Sequence, residues 1–303
     1  MNAVKITSLS LALAGALAAG VAQAAVDIAS SPTLSKIKSS GTISIGHRTS
    51  SIPFSYYDSN QKVIGFSQDL CDRVVDEVKK ETGVPNLQVR MVPVTSQNRI
   101  SLVQNGTVDL ECGVTTNLKS RQQQVAFSTT FFVAGTRLLV KKGSPVHDFS
   151  DLSGKAVVTN AGTTSERILR RLNDEKKANI TIQSAKDYGE SFLILQSGRV
   201  AAFMMDDVLL SGARTLAPNP AEWVVVGTPQ SFEAYGFMLR KDDPGFKQLV
   251  DGVLTGLMKS GEINKLYDKW FLKPVPPKNI NFEFPMSEPV KKAYANPNDE
   301  AFE

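Results

Sequence analysis

The 303-residue chain is poor in the side chains on which most catalysis depends. It has two histidines, His47 and His147, far apart in sequence, and two cysteines, Cys71 and Cys112, neither flanked by a histidine. No His/Cys/Asp cluster has metal-ligand spacing, so no metal or other cofactor is expected. No Walker-type phosphate loop and no Gly-x-Ser-x-Gly elbow occurs. Ser35-Lys36-Ile37-Lys38 fits a bare Ser-x-x-Lys pattern, but the motifs that accompany it in hydrolases are missing. Charge of one sign is not concentrated: the net charge is +4 with acids and bases interspersed, which argues against a nucleic-acid partner.

Long apolar runs are equally scarce. The one near the N-terminus, Leu9 to Val21, follows Lys5 and precedes Ala22-Gln23-Ala24. It is shorter than the ~20 residues of a membrane span and rich in alanine and glycine. Residues 1–24 therefore read as a cleaved signal peptide, which places the mature protein in the periplasm. That compartment permits a Cys71–Cys112 disulfide, though two buried thiols remain an alternative because spacing alone does not fix their distance.

What remains is an ordinary globular composition, 42% hydrophobic and 21% charged, long enough for two domains. Strand-like and helix-like segments alternate. Thr42–Gly46, Leu87–Val92 and Val108–Cys112 read as strands, with helices at Gln68–Glu81 and Arg99–Gln104. Phe54–Tyr57 and Val63–Phe66 flank Asp58-Ser59-Asn60 as a hairpin. The pattern restarts at Thr136–Val140 and continues through strands at Ala156–Thr159, Ile180–Gln183, Ala201–Met205 and Trp223–Val226. A strand at Tyr235–Leu239 and helices at Phe246–Lys259 and Glu262–Trp270 follow, and then a polar, proline-punctuated tail. Alternation of this kind predicts α/β layers, in two lobes. Lobe 1 is expected to comprise residues 25–131 and 228–303, and lobe 2 residues 132–227.

Arginines and hydroxyls stand at turns after strands: Arg48 after the first, Ser96 and Arg99 after the second, and Thr115, Thr116 and Arg121 after Cys112-Gly113. In an open α/β sheet ligands sit at the carboxyl ends of strands. Three guanidiniums arriving there point to carboxylate recognition, although each taken singly reads as a solvated surface arginine. Thr164 lies where a strand gives way to a helix N-terminus, a site for an anion or simply a cap. Asp206, ending an apolar strand, can face an ammonium or cap the helix that follows. Phe54, Tyr56, Tyr57 and Tyr188 are candidate pocket walls.

These stretches, with Ser51 to Asp58, Thr95 to Ile100, Gln104 to Thr107, Gly162 to Glu166, Ala202 to Asp207 and Pro274 to Asn279, resemble the family 3 periplasmic solute-binding proteins of ATP-binding-cassette amino-acid importers. The resemblance covers essentially the whole mature chain. It implies a type II periplasmic-binding-protein fold, two α/β lobes joined by two hinge crossovers. It implies a monomer without catalysis that captures L-glutamate or L-aspartate and hands it to a membrane permease. Carried over residue by residue, Arg121, Thr116 and Thr164 would hold the α-carboxylate, and Asp206 with a carbonyl near Val114 the α-ammonium. Arg48, Ser96 and Arg99 would hold the side-chain carboxylate. Acidic-amino-acid binders of the family carry serine where this chain has Val114 and histidine where it has Tyr188; Tyr188 therefore bears on the choice among glutamate, aspartate and glutamine. The alternative is a periplasmic enzyme on the same fold, akin to cyclohexadienyl dehydratase, for which only Asp206 or Glu111 could act as acid or base.

Overall fold

The computed structural model describes residues 28–301, so the signal-peptide reading lies outside the described residues. Thr42–His47 is flanked in parallel by Gln88–Pro93 on one side and Leu110–Thr116 on the other. A second group holds Ala156–Asn160 between Thr181–Ala185 and Ala202–Asp206, again parallel. Parallel pairing requires crossover connections, and helices supply them. Phe66–Thr82 packs on the first group, and Thr164–Lys176 and Tyr188–Gln196 on the second.

Two long strands join the groups. Phe132–Lys141 runs antiparallel to Ala202–Asp206 and to Trp223–Val226. Phe232–Leu239 runs antiparallel to Leu110–Thr116, pairing Tyr235 with Thr116 and Leu239 with Leu110. The two strands pair with each other only where they cross between the groups, Phe232–Tyr235 against Phe132–Gly135. The C-terminal part of the later strand thus returns to the first group.

Aromatic rings anchor this crossing. Phe132 is fully buried and stacks near Tyr235, Tyr267 and Phe271, while Phe54 meets Phe132 edge-on at 4.9 Å. Each such ring contributes about 2–3 kcal/mol through burial, so the crossover is fixed firmly to the first group. Phe54 is therefore a core residue rather than a pocket wall; Tyr56 is buried as well but lines, with Tyr57, a small cavity beside Pro276, to whose carbonyl its hydroxyl donates at 2.6 Å. The Ser-x-x-Lys stretch is structural as well: the Ser35 hydroxyl donates to the Ile28 carbonyl, and Lys38 is exposed.

Three expectations change. Leu110–Thr116 continues past Cys112, so Val114, Thr115 and Thr116 lie within the strand and not in a turn after it. The hairpin is a three-stranded antiparallel sheet, Ser50–Ser51, Ser55–Tyr57 and Val63–Ile64. The tail carries a helix, Glu288–Ala295, whose Val290 and Tyr294 are buried, with the Tyr294 hydroxyl donating to the Phe131 carbonyl at 3.0 Å. Of the two alternatives for the cysteines the structure has the bond: Cys71 and Cys112 are disulfide-bonded, with sulfurs 2.08 Å apart, tying the helix Phe66–Thr82 to the strand Leu110–Thr116.

Candidate functional site

The carboxyl ends of the strands from both groups face each other, and all nine residues to which the resemblance gives a part in ligand binding are buried. Arg48 follows Thr42–His47. Its Nη1 donates to the Ser96 hydroxyl at 3.1 Å, and its guanidinium lies 5.1 Å from the centre of the Tyr188 ring. The ring thus offers its face to a cation from across the cleft. Arg99 opens the helix Arg99–Gln104 and points back into the site, where Nη1 donates to the Val114 carbonyl at 3.0 Å and the Thr115 hydroxyl at 2.6 Å. Arg121 donates to the Thr116 carbonyl at 2.9 Å and, from Nη2, to the Gly162 carbonyl at 3.4 Å.

Burial is the main force lowering the Arg99 and Arg121 pKa values, Arg121 to about 9, and each is lowered further by a neighbouring arginine. For Arg99 that neighbour is Arg48, and for Arg121 it is Arg99. Three guanidiniums gathered out of water repel one another unless anions join them. The arrangement is made to accept negative charge.

Opposite them, Thr163 caps the helix Thr164–Lys176, accepting from the Glu166 amide at 3.1 Å, which leaves Thr164 at the first helical position. The Thr164 hydroxyl donates to Glu233 at 2.8 Å. Asp206 does not cap its helix with its side chain. Asp207 takes that part, accepting from the Val208 amide at 2.7 Å and the Gly135 amide at 3.3 Å. The Asp206 carboxyl turns inward to the Tyr235 hydroxyl, the Thr136 hydroxyl at 3.3 Å and the Ser165 hydroxyl at 3.5 Å. Burial and then the nearby Glu233 push its pKa up to about 8. An acid so placed gains most from a cation arriving beside it.

Tyr235, Thr136, Ser165, Glu233 and Glu111 also belong to this constellation and were not expected from the sequence as binding residues, whereas Thr115 stood among the expected hydroxyls. Glu233 and Tyr235 carried a usable signal: they are two apart on one strand, so they share a face, and a carboxylate on a buried strand face needs partners. Thr136 and Ser165 are ordinary hydroxyl residues, and Glu111 an ordinary acid, until folding brings their partners close.

The two groups are shut on each other. A Cβ added to Gly162 would lie 2.9 Å from the Ser96 carbonyl oxygen, and the Ser50 hydroxyl donates to Asp187 at 3.4 Å. Among the described residues no cluster of His, Cys, Asp and Glu could hold a metal, and no helix is long and apolar enough to cross a membrane.

Two α/β lobes on a pair of crossover strands, shut over a buried charged site, define a solute-binding protein of the type II periplasmic class. The chain belongs to the bacterial extracellular solute-binding proteins, family 3, whose model matches residues 43–273. It is 56% identical over 291 residues to the glutamate/aspartate import solute-binding protein of Escherichia coli, covering 95% of this chain and 96% of that one. It is 58% identical over 272 residues to the L-glutamate/L-aspartate-binding protein of Pseudomonas aeruginosa, covering 89% and 90%. Among solved structures, an ancestral amino-acid-binding protein described as a precursor of cyclohexadienyl dehydratase aligns with a TM-score of 0.68 at 30% identity, covering 78% of this chain and 98% of that one. The curated relatives are transport proteins and not enzymes, so the dehydratase alternative is not favoured.

Proposed function

We propose that the protein captures L-glutamate or L-aspartate outside the cytoplasm and presents it, enclosed between its lobes, to the membrane permease of an ATP-binding-cassette importer. The observation that carries the reading is the burial of Arg48, Arg99 and Arg121 in one cleft opposite Asp206. A zwitterion with a second carboxylate supplies one cation for Asp206 and two anions for the arginines. Arg121, Thr116 and Thr164 hold the α-carboxylate, and Asp206 the α-ammonium with help from the main chain near Val114. Arg48, Ser96 and Arg99 hold the side-chain carboxylate, with Tyr188 along its flank. Lobe 1 comprises residues 25–131 and 228–303 and lobe 2 residues 132–227, so ligand contacts come from both lobes and favour the closed form. The names of the relatives support this ligand choice. Calorimetric titration with L-glutamate, L-aspartate, L-glutamine and L-lysine tests it. Both acids should bind and lysine should not, because its ammonium would face Arg48 and Arg99 and leave both buried and unpaired. Tight lysine binding without a response to either acid would overturn the reading.

A further inference from the structure

Glu111 is a fully buried acid beside the arginines to which the ligand scheme gives no part. Its Oε2 accepts from the Thr115 hydroxyl at 2.8 Å, while Oε1 accepts no hydrogen bond from the described residues. The chain leaves space for it. A Cβ on Gly113 would lie 2.1 Å from Glu111 Oε1, and one on Gly46 would lie 3.4 Å from its Cα and Cγ. The Thr115 hydroxyl has a fixed direction, because it accepts from Arg99 Nη1 at 2.6 Å and so sends its own proton to Glu111. Arg99, Thr115 and Glu111 form a one-way relay from a ligand-facing cation to a hidden carboxylate. Burial draws the Arg99 pKa down, and the nearby Glu111 pulls it back up.

We propose that Glu111 is a positioning residue which, acting through Thr115, balances Arg99 and so sets how strongly the cleft prefers a carboxylate to an amide at the ligand's far end. This rests on the ligand scheme proposed above. At that end Arg48 and Arg99 lie beside Glu111, two guanidiniums to one carboxylate. The single positive charge left over is cancelled by one ligand carboxylate. A neutral amide leaves it uncancelled. Without the Glu111 charge two positive charges remain, so an amide ligand loses more than a carboxylate does, and selectivity is a difference between the two.

The test is titration of the wild type and of Glu111→Gln with L-glutamate and L-glutamine, alongside thermal melting without ligand. The substitution keeps the shape and the acceptor for Thr115 while removing the charge. The glutamate-to-glutamine affinity ratio should rise about tenfold. A merely structural role would lower the melting temperature and weaken both ligands equally, and an unchanged or smaller ratio overturns the inference. Thr115→Val provides a second route should Glu111→Gln fail to fold. It cuts the relay and keeps the carboxyl, and the ratio should then rise about threefold, an unmoved ratio again counting against the proposal. A wild-type protein that bound neither ligand would overturn the ligand scheme and this inference together. Wild-type binding with unmoved ratios in the variants would overturn this inference alone.

Discussion

Gly212 and Ile52 meet with no room for a side chain between them: a Cβ on Gly212 would lie 1.9 Å from the Ile52 carbonyl oxygen. Gly212 sits inside the helix Asp207–Arg214, where glycine costs about 1 kcal/mol relative to alanine. In the proposed division Ile52 belongs to the other lobe. The end of the same helical stretch is held by Lys278, whose Nζ donates to the Leu216 and Ala217 carbonyls at 3.1 and 3.0 Å. Gly212→Ala should therefore improve the helix while holding the lobes apart. We expect glutamate and aspartate to weaken by the same factor, about tenfold or more, with the ligand-free melting temperature not lowered. Small-angle scattering should show less compaction on adding ligand. A lowered melting temperature with normal compaction would mean that the contact belongs to the fold and not to closure.

If Asp206 holds the ammonium as proposed, its position makes binding depend on pH. Its pKa in the folded protein, about 8, lies well above the ordinary 3.8. Stability from this group is fully present below about pH 4 and is lost as pH rises through about 8, because the unfolded chain releases its proton first. The ligand-free protein should therefore be less stable at pH 8 than at pH 6 on this account. An ammonium beside Asp206 favours the ionised carboxylate, so binding expels a proton, and affinity should rise with pH up to about 8, by at most about tenfold per unit. Calorimetry at pH 7 in phosphate and in Tris checks this, since the difference in heat reports the proton released. Equal heats would contradict it.

The Cys71–Cys112 bond closes a loop of 41 residues and adjoins Glu111 and Gly113 in the strand that carries the site. Loop-closure entropy for that length corresponds to about 4 kcal/mol. A Cys71→Ser, Cys112→Ser double variant should lose roughly that much in urea unfolding and still bind glutamate when folded. An unchanged urea midpoint would show that the bond contributes little.

The layered α/β order and the placing of Arg48 and Arg99 at strand ends were legible in the sequence because periodicity and turn position are local properties. Partnership was not. Gly113 reads as a strand terminator, yet it lies mid-strand because the Glu111 carboxyl occupies the space of a side chain there. Asp206 reads equally well as a helix cap or an ammonium site. Only the inward hydroxyls of Tyr235, Thr136 and Ser165, distant in sequence, distinguish the two. Tyr188 could be placed beside a carboxylate only by resemblance, and its stacking on Arg48 depends on the cleft being shut.

In the proposed scheme Arg121 and Arg99 separate the two ends of the ligand. Arg121 is tied to the Thr116 carbonyl of one lobe and the Gly162 carbonyl of the other, beside the helix N-terminus at Thr164. Arg99 lies deeper, between Val114 and Thr115, on the side of Arg48. The α-carboxylate is common to every amino acid, so Arg121→Ala should weaken all ligands alike. Removing one partner of a desolvated charge pair costs roughly 2–5 kcal/mol, about 30-fold to several thousand-fold in affinity. Arg99→Ala should weaken glutamate and aspartate by a comparable factor and glutamine by much less, because only the arginine facing the variable end can alter the ranking. Titration of both variants with the three ligands, after circular dichroism shows them folded, is the measurement. If Arg99→Ala weakened glutamate and glutamine equally while Arg121→Ala changed their ranking, the ligand would lie in the opposite orientation.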